Sequence, residues 1–254
     1  MNRFLKLSIA GALACTMAGC GTSASSGKKT VTINVAIAPD YAPYESLNKQ
    51  GKIVGFDADM IKLFPSYLNT STTTYKFKYN QMSFDNIITQ LQANQADVGI
   101  SGFSYNKKRK VSWSTPYAAT AQMAVVNKGS GIKTLKDLEG KKLAAQTGST
   151  GEEAAKKVKG ATVSSVSNAQ ENFPALKAKQ FDAVIVELAV AKKYAKAQGF
   201  DIMPQSLKDE KNYIVAKQGN TKMINLMNKA LKKFLASKDY KRLTDKYGLK
   251  PLEK

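Results

Sequence analysis

The chain alternates between segments typical of β-strands and segments typical of helices. Residues 31–37 and 97–100 are short, largely apolar runs of strand length. Between them, Ser83 stands where a helix N-cap is expected, and apolar residues recur after it at the spacing of one helix face. Those residues are Phe84, Ile87, Ile88 and Leu91. A repeated strand–helix–strand order predicts parallel strands, and therefore an open α/β sheet.

Small and polar residues follow several predicted strands at their carboxyl ends. Residues 101–104 combine two serines with a glycine, and Arg109 follows shortly after them. The loop 147–151 joins a strand to a helix, and Glu187 ends the strand of residues 182–186. Open α/β sheets place ligand groups at this edge, where hydroxyls hydrogen-bond a ligand and an arginine grips a carboxylate in two places. The pattern predicts a small-molecule cleft, although loop 147–151 taken alone fits an ordinary strand–helix turn equally well.

The formal net charge is +20, and the chain contains no histidine. Without histidine no Ser-His-Asp or Cys-His nucleophile can form, and the two cysteines, Cys15 and Cys20, are too few for a cysteine-only zinc site. We therefore expect neither a metal nor a cofactor. A high positive charge suits nucleic acid or an anionic surface as a partner. The lysines are scattered along predicted helix faces, however, which favours a solvated surface over a nucleic-acid groove.

The first twenty residues are typical of a bacterial secretory signal. Arg3 and Lys6 precede an apolar run that is too short to span a bilayer as a mature helix. The run ends at Met-Ala-Gly-Cys20, which resembles the lipobox of bacterial lipoproteins. That resemblance implies that the signal peptide, residues 1–19, is removed and that Cys20 is acylated. Residues 20–30 are mostly small and polar, as a flexible tether requires. We expect a lipid-anchored protein of the Gram-positive type on the extracellular face of the cell membrane.

Eight short motifs between residues 41 and 248 resemble, in order and spacing, those of the polar amino acid-binding proteins within family 3 of the extracellular solute-binding proteins. These proteins serve ABC importers and include glutamine- and histidine-binding proteins. The motifs are YAPYE (41–45), GFD (55–57), SFD (83–85), SGFS (101–104), STPY (114–117), GST (148–150), DAVIVE (182–187) and KYG (246–248).

The resemblance implies a two-lobe, periplasmic-binding-protein-like fold of type II, with the ligand cleft between the lobes. Lobe 1 is expected to comprise residues 31–121 and 210–254, and lobe 2 residues 122–209. The chain should cross between the lobes near residues 120–126 and 207–214. The same resemblance implies a monomer.

Ligand contacts are also assigned by this resemblance. Tyr41 and Phe84 match the aromatic pair that encloses the side chain of the ligand. Arg109 is expected to bind the α-carboxylate, and Glu187 stands where the family usually has an aspartate for the α-ammonium. The remaining contacts to the charged head of the ligand are expected from small and hydroxylated residues: Ser101, Gly102, Ser104, Ser149 and Thr150.

Two departures from the family pattern bear on this assignment. Counting back from the STPY motif places Lys107, rather than Arg109, at the carboxylate-binding position. Chemistry favours Arg109, because a guanidinium forks onto both carboxylate oxygens and an ammonium does not. Ala38 stands where several relatives with cationic or amide ligands have an aspartate. We therefore expect a neutral polar amino acid or cystine as ligand, and not lysine or histidine.

The chain is thus predicted to capture an L-amino acid and to deliver it to an ABC permease without catalysis. Two alternatives belong to other classes. One is a lyase or dehydratase on the same scaffold that uses Glu187 as general acid or base. The other is a basic surface adhesin for anionic polymers, whose binding would be salt-sensitive and independent of the cleft residues.

Overall fold

The computed structural model describes residues 28–253. The predicted signal peptide, Cys20 and most of the predicted tether lie outside the described residues. The strands are β1 (Lys29–Ile37), β2 (Asp40–Tyr41), β3 (Glu45–Leu47), β4 (Ile53–Val54), β5 (Thr73–Gln81), β6 (Val98–Ser104), β7 (Val111–Val126), β8 (Lys142–Gln146), β9 (Thr162–Val166), β10 (Ala183–Glu187), β11 (Asp201–Ile202) and β12 (Lys208–Lys217). The helices are α1 (Phe56–Leu68), α2 (Ile87–Gln92), α3 (Thr150–Ala155), α4 (Asn172–Lys177), α5 (Leu188–Gln198), α6 (Thr221–Leu235) and α7 (Lys238–Tyr247).

Nine strands form one mixed sheet in the order β5-β1-β6-β12-β7-β10-β8-β9, and β11 pairs with β7. Strands β5, β1 and β6 run parallel to one another, and so do β10, β8 and β9. Strands β12 and β7 lie between these two groups and pair antiparallel with each other. The predicted α/β class is confirmed, with one group of parallel strands on each side of an antiparallel pair.

Strands β7 and β12 connect the two halves of the sheet. Most of β7 pairs with β12, which in turn pairs with β6 of the first half. The last residues of β7, Gln122–Val126, pair with β10 of the second half. The chain passes between the halves along these strands, while the lobe limits (31–121 with 210–254, and 122–209) stay a prediction.

Apolar packing holds the strand ends in place. In the first half, the Phe56 ring of α1 lies 6.2 Å from the Phe234 ring of α6 and 6.0 Å from the Tyr117 ring of β7. In the second half, Leu143 of β8 and Ile185 of β10 belong to a further buried cluster. Every residue of β6 and β10 is buried, which is typical of strands covered on both faces.

The segment after Ser83 begins differently from the prediction. A 3-10 turn (Phe84–Asn86) precedes α2, and the Ser83 hydroxyl accepts a hydrogen bond from the Asn86 side chain rather than from a backbone N–H. The tighter turn accompanies burial of Phe84, whose ring stacks on Phe103 with centroids 4.6 Å apart. Tertiary packing of this ring therefore decides the start of the segment, and the helical periodicity holds from Ile87 onward.

Within residues 28–253, no helix combines the length and the apolar character needed to cross a membrane. The long helix α6 has 15 residues, and its outer face carries Lys232 and Lys233.

Candidate functional site

The structure brings all nine predicted ligand-binding residues together around one small cavity between the two halves. The cavity measures about 10 Å³, because side chains from the two halves contact one another directly. Two further residues that the sequence did not single out, Gln122 and Gln146, also line it. The lining residues are Tyr41, Phe84, Ser101, Gly102, Ser104, Arg109, Gln122, Gln146, Ser149, Thr150 and Glu187.

The ends of the strands explain why these residues meet. Ser104 is the last residue of β6, Gln146 the last of β8 and Glu187 the last of β10. Ser149 caps α3, because its hydroxyl oxygen accepts a hydrogen bond from the Glu152 N–H at 3.0 Å. The parallel strands of both halves thus present their carboxyl ends to one cleft, the edge where open α/β sheets bind ligands.

Arg109 bridges the cleft. Its Nη1 donates a hydrogen bond to the Ser104 carbonyl oxygen at 2.9 Å, and its Nη2 donates to the Gly148 carbonyl oxygen at 2.7 Å. The guanidinium carbon lies 5.5 Å from the centre of the Phe84 ring and 5.2 Å from that of Phe103, within the range of cation–π attraction. Burial lowers the pKa of Arg109, yet an arginine stays protonated in proteins. The cleft therefore contains a fixed positive charge.

Lys107, the other candidate for the carboxylate-binding position, lies outside the cavity. Its side chain is exposed and lines a surface groove with Tyr105, Lys156 and Lys208. Of the two candidates, Arg109 is the one that lines the cavity.

Glu187 is buried, with 2% of its surface exposed. The Ser104 hydroxyl donates to its Oε1 at 3.1 Å, and the Asn212 amide donates to both carboxyl oxygens at 3.1 Å. Its own backbone N–H donates to the Tyr41 hydroxyl oxygen at 3.2 Å. Burial raises the pKa of Glu187 to about 7, although the hydrogen bonds from Asn212 and Ser104 lower it. At neutral pH this carboxyl is therefore poised between its ionised and neutral forms.

Thr150 belongs to a hydrogen-bonded group with Gln122 and Glu210. The Thr150 hydroxyl donates to Glu210 Oε2 at 2.7 Å. Gln122 Nε2 donates to Thr150 Oγ1 at 3.2 Å and to the same glutamate oxygen at 2.9 Å. Gln122 Oε1 is buried and has no hydrogen-bond partner among the described residues. Because buried polar atoms are normally satisfied, this oxygen is an acceptor available to a donor in the cleft.

A second amide lies beside a carboxylate at the cavity wall. Gln146 Nε2 donates to Asp40 Oδ2 at 3.0 Å and to Oδ1 at 3.2 Å. The backbone N–H of Ala169 also donates to Asp40 Oδ2, at 2.8 Å. Burial raises the pKa of Asp40. Gln146 lines the cavity, and its side chain lies between the cavity and the Asp40 carboxyl.

Tyr41 and Phe84 form the apolar side of the cleft, and Ala38 lies behind it. Tyr41 and Phe84 are both buried, and both line the cavity. Ala38 does not line it: this residue is buried behind the wall, and its N–H donates to Ser101 Oγ at 3.1 Å. The part of the cleft wall that Tyr41 and Phe84 form, with Ala38 behind it, therefore contains no charged side chain.

The described residues contain no group of three or more His, Cys, Asp or Glu side chains that could hold a metal ion.

Asn212, Gln122 and Gln146 were missed from the sequence because each lies in an extended segment and belongs to no local motif. A signal was nevertheless present. A polar amide inside a segment predicted to be a buried strand or a crossing must find partners, and both Gln122 and Asn212 fall within the predicted crossings.

Comparisons with known proteins agree with this geometry. The model of the family described as bacterial extracellular solute-binding proteins, family 3, matches residues 33–250. The arginine-binding extracellular protein ArtP of Bacillus subtilis is 31% identical, over 97% of this chain and 98% of the relative.

Two solved structures are similar in fold and in sequence. The substrate-binding protein of an amino acid ABC transporter has a TM-score of 0.78 and 29% identity, over 85% of this chain and 99% of its own. An ancestral amino acid-binding protein, AncCDT-1, described as a precursor of cyclohexadienyl dehydratase, has a TM-score of 0.77 and 29% identity, over 85% of this chain and 95% of its own.

The family match covers most of the chain, and the ends of the parallel strands in both halves meet at a cleft lined by a guanidinium and a buried carboxyl. The chain therefore belongs to family 3 of the bacterial extracellular solute-binding proteins.

Proposed function

We propose that the protein binds an L-amino acid between its two lobes and delivers it to an ABC importer. The observation that carries this proposal is that a guanidinium and a carboxyl, those of Arg109 and Glu187, line the same small cavity. An α-amino acid offers a carboxylate and an ammonium, and a site with one group of each sign complements both. The similarity to a substrate-binding protein of an amino acid ABC transporter supports the same function.

Arg109 binds the α-carboxylate in this proposal, with the backbone N–H of Thr150 as a further donor. A guanidinium has five N–H donors, and two of them already hold Arg109 against the backbone. The hydrogen bond to the Ser104 carbonyl oxygen lies within the first half, so it orients the guanidinium before the ligand arrives and reduces the entropy lost on binding. Ser101, Gly102 and Ser149 complete the wall around the charged head.

Glu187 binds the α-ammonium. Its carboxyl is held by Asn212 and Ser104, so it cannot turn away from the cavity without losing those hydrogen bonds. Glutamate is one methylene longer than the aspartate usual at this position in the family. The Tyr41 ring forms the wall beside Glu187, and the Phe84 ring forms the wall near Arg109.

The ligand side chain is proposed to be neutral and polar, or that of cystine. Gln122 contributes a buried amide oxygen without a partner, and Gln146 contributes a second amide to the wall. Neither residue carries a charge. Ala38 stands where several relatives have an aspartate, so this position supplies no carboxylate. A cationic side chain is the competing candidate, because the Bacillus subtilis relative is named arginine-binding and Asp40 lies directly behind Gln146.

A calorimetric screen of residues 28–254 against the twenty amino acids and cystine tests the proposal. We expect binding of at least one of them, with a neutral polar amino acid or cystine the tightest. Binding by none would refute amino acid recognition. If arginine bound most tightly, the preference for a neutral side chain would be wrong and the amino acid function would stand.

Substitution of Arg109 by alanine should abolish this binding, whereas Lys107→Ala should not. Loss of one partner from a desolvated charge pair costs about 2–5 kcal/mol, so we expect Arg109→Ala to weaken the affinity by roughly 30-fold or more. Lys107 is exposed, and its removal should change the affinity less than about twofold. Calorimetry with the ligand identified in the screen measures both values, and the reverse result would assign the carboxylate to Lys107.

The affinity should fall as the pH decreases below about 7. The pKa of Glu187 is about 7 in the protein, and an ammonium ligand stabilises the ionised form, which lowers this pKa in the complex. Below pH 7 binding must therefore release a proton, and the affinity should drop up to about tenfold per pH unit. Calorimetry in two buffers of different ionisation enthalpy measures the proton release. Glu187→Gln should bind weakly and without this release, and an affinity that is constant from about pH 5 to pH 8 would contradict the role of Glu187.

We also propose that Cys20 carries a lipid that anchors the protein to the extracellular face of the cell membrane, with residues 20–30 as the tether and the body acting as a monomer. Cys20→Ala should shift the protein from the membrane fraction to the medium, because a single soluble body has no other membrane anchor in this proposal. Cys15→Ala is the matched control, since Cys15 leaves with the signal peptide. Retention of Cys20→Ala at the membrane would show that the lipid anchor is wrong.

A lyase or dehydratase is the second candidate, and one observation favours it. The pKa of Glu187 near 7 suits a general acid or base, and AncCDT-1 is described as a precursor of a dehydratase. Incubation with amino acids and cyclohexadienyl compounds, followed by mass spectrometry, distinguishes turnover from binding alone.

A further inference from the structure

Two buried carboxyls lie behind the ligand-binding strand, and the proposed function uses neither. Glu45 of β3 and Asp57 of α1 are both fully buried. The Ser101 hydroxyl donates to Glu45 Oε1 at 2.7 Å, and the Gly102 N–H donates to Asp57 Oδ2 at 3.2 Å. The Tyr117 hydroxyl donates to the same Asp57 oxygen at 3.1 Å. Each carboxyl thus holds one of two consecutive residues of the cleft wall.

One oxygen of each carboxyl has no donor. Glu45 Oε2 and Asp57 Oδ1 are both buried without a hydrogen-bond partner among the described residues. The Asp57 backbone N–H donates to the carbonyl oxygen of Tyr44, the residue before Glu45, at 3.0 Å, so the two carboxyls extend from adjacent backbone toward the consecutive residues Ser101 and Gly102. No lysine or arginine of the described part forms an ion pair with either carboxyl. Two adjacent anions in such a setting repel strongly, and two orphaned acceptors are costly. A single proton between Glu45 Oε2 and Asp57 Oδ1 neutralises one of the two charges and joins the two oxygens by a hydrogen bond.

We propose that Glu45 and Asp57 bind one proton between them, carried by Glu45 and donated to Asp57, and that this carboxyl pair positions Ser101 and Gly102 for ligand binding. Asp57 accepts two other hydrogen bonds and Glu45 accepts one, so the negative charge is better stabilised on Asp57. Asp57 also lies in the first turn of α1, where the helix dipole favours an anion.

The surroundings of the carboxyl pair keep the proton in place. The titratable groups next to it are another carboxyl and tyrosines, namely Asp40, Tyr41, Tyr44, Tyr79 and Tyr117. None of these groups is a cation that could replace the proton. Burial raises the pKa of Glu45 and of Asp57, and the charge of Asp57 raises that of Glu45 further.

Hydrogen bonds connect the carboxyl pair to the residues of the cleft. Ser101 Oγ accepts a hydrogen bond from the Ala38 N–H at 3.1 Å while it donates to Glu45. The Gly102 carbonyl oxygen accepts from the Asn212 amide at 3.1 Å, and Asn212 holds Glu187. Removal of the proton would leave two facing anions, which would separate and displace Ser101 and Gly102.

The pH dependence of unfolding tests the bound proton without any ligand. The folded protein retains a proton that the unfolded chain releases above about pH 4.3, so the native state binds more protons and its stability must fall as the pH rises. Glu45→Gln places an amide N–H where the proton lies. The hydrogen bond to Asp57 is retained, and the group that titrates at position 45 is removed. Between about pH 5 and pH 9 the melting temperature of Glu45→Gln should therefore decrease less than that of wild type.

Glu45→Ala is the matched control for lost packing. At neutral pH it should melt at least about 5 °C below Glu45→Gln, because it leaves the Ser101 hydroxyl hydrogen without an acceptor and Asp57 Oδ1 without a donor. The proposal is overturned if Glu45→Gln retains the wild-type pH dependence, or if it is as unstable as Glu45→Ala. In the unfolding and infrared comparisons the variants and their reference protein all carry Glu187→Gln, so that the titration of Glu187 does not contribute.

Infrared spectroscopy detects the proton directly. In the Glu187→Gln background at about pH 8, we expect a carbonyl band of a neutral carboxylic acid that disappears in Glu45→Gln. Persistence of the full band in that variant would contradict the proposed proton site. A last measurement rests on the proposed function. As the pH increases to about 9, wild type loses the bound proton and Glu45→Gln does not, so the ligand affinity of Glu45→Gln relative to that of wild type should rise. Since unfolding and infrared need no ligand, failure of the carboxyl pair and failure of amino acid binding give separate results.

Discussion

The antiparallel pairing of β7 with β12 is the interaction on which the rest of the structure depends. These two strands lie at the centre of the sheet, and each half adds its own parallel strands to one side of them. Their register sets Gln122 of β7 opposite Lys208 and Asn212 opposite Ala118. The two amides that connect the cleft residues are therefore placed by backbone hydrogen bonds. A slip of β12 by one residue against β7 would turn Asn212 to the other face of the sheet, away from Glu187.

The charge of the protein is divided between its surface and its interior. The formal net charge is +20, yet the charged residues that are buried in the described part are all acidic: Glu45, Asp57, Glu152 and Glu187. Lysines keep their ammonium groups in water at low cost, whereas a buried carboxyl needs donors or a proton. Backbone N–H groups, hydroxyls and the Asn212 amide meet that need. The basic composition thus describes the surface, and it says little about the chemistry of the cleft.

Much of the candidate site could be predicted from local sequence. Ser104 and Glu187 end buried strands, and Thr150 begins a helix after a Gly/Ser loop, so each position follows from a local rule about strand and helix ends. Asn212 could not be found in this way, because its partners Tyr44 and Gly102 are 168 and 110 residues away. The start of α2 was mispredicted for a related reason, since stacking of Phe84 on Phe103 outweighs the capping signal at Ser83.

The sequence by itself determined the α/β class, the order of its strands and helices, and the exclusion of histidine chemistry. These properties depend on periodicity and composition, which are local. Only the tertiary structure decided that Arg109 rather than Lys107 lines the cavity, that the pKa of Glu187 lies near 7, and that Glu45 faces Asp57. Each of these depends on burial and on distances between residues far apart in the chain, because the cost of a buried charge is set by the groups that surround it in space.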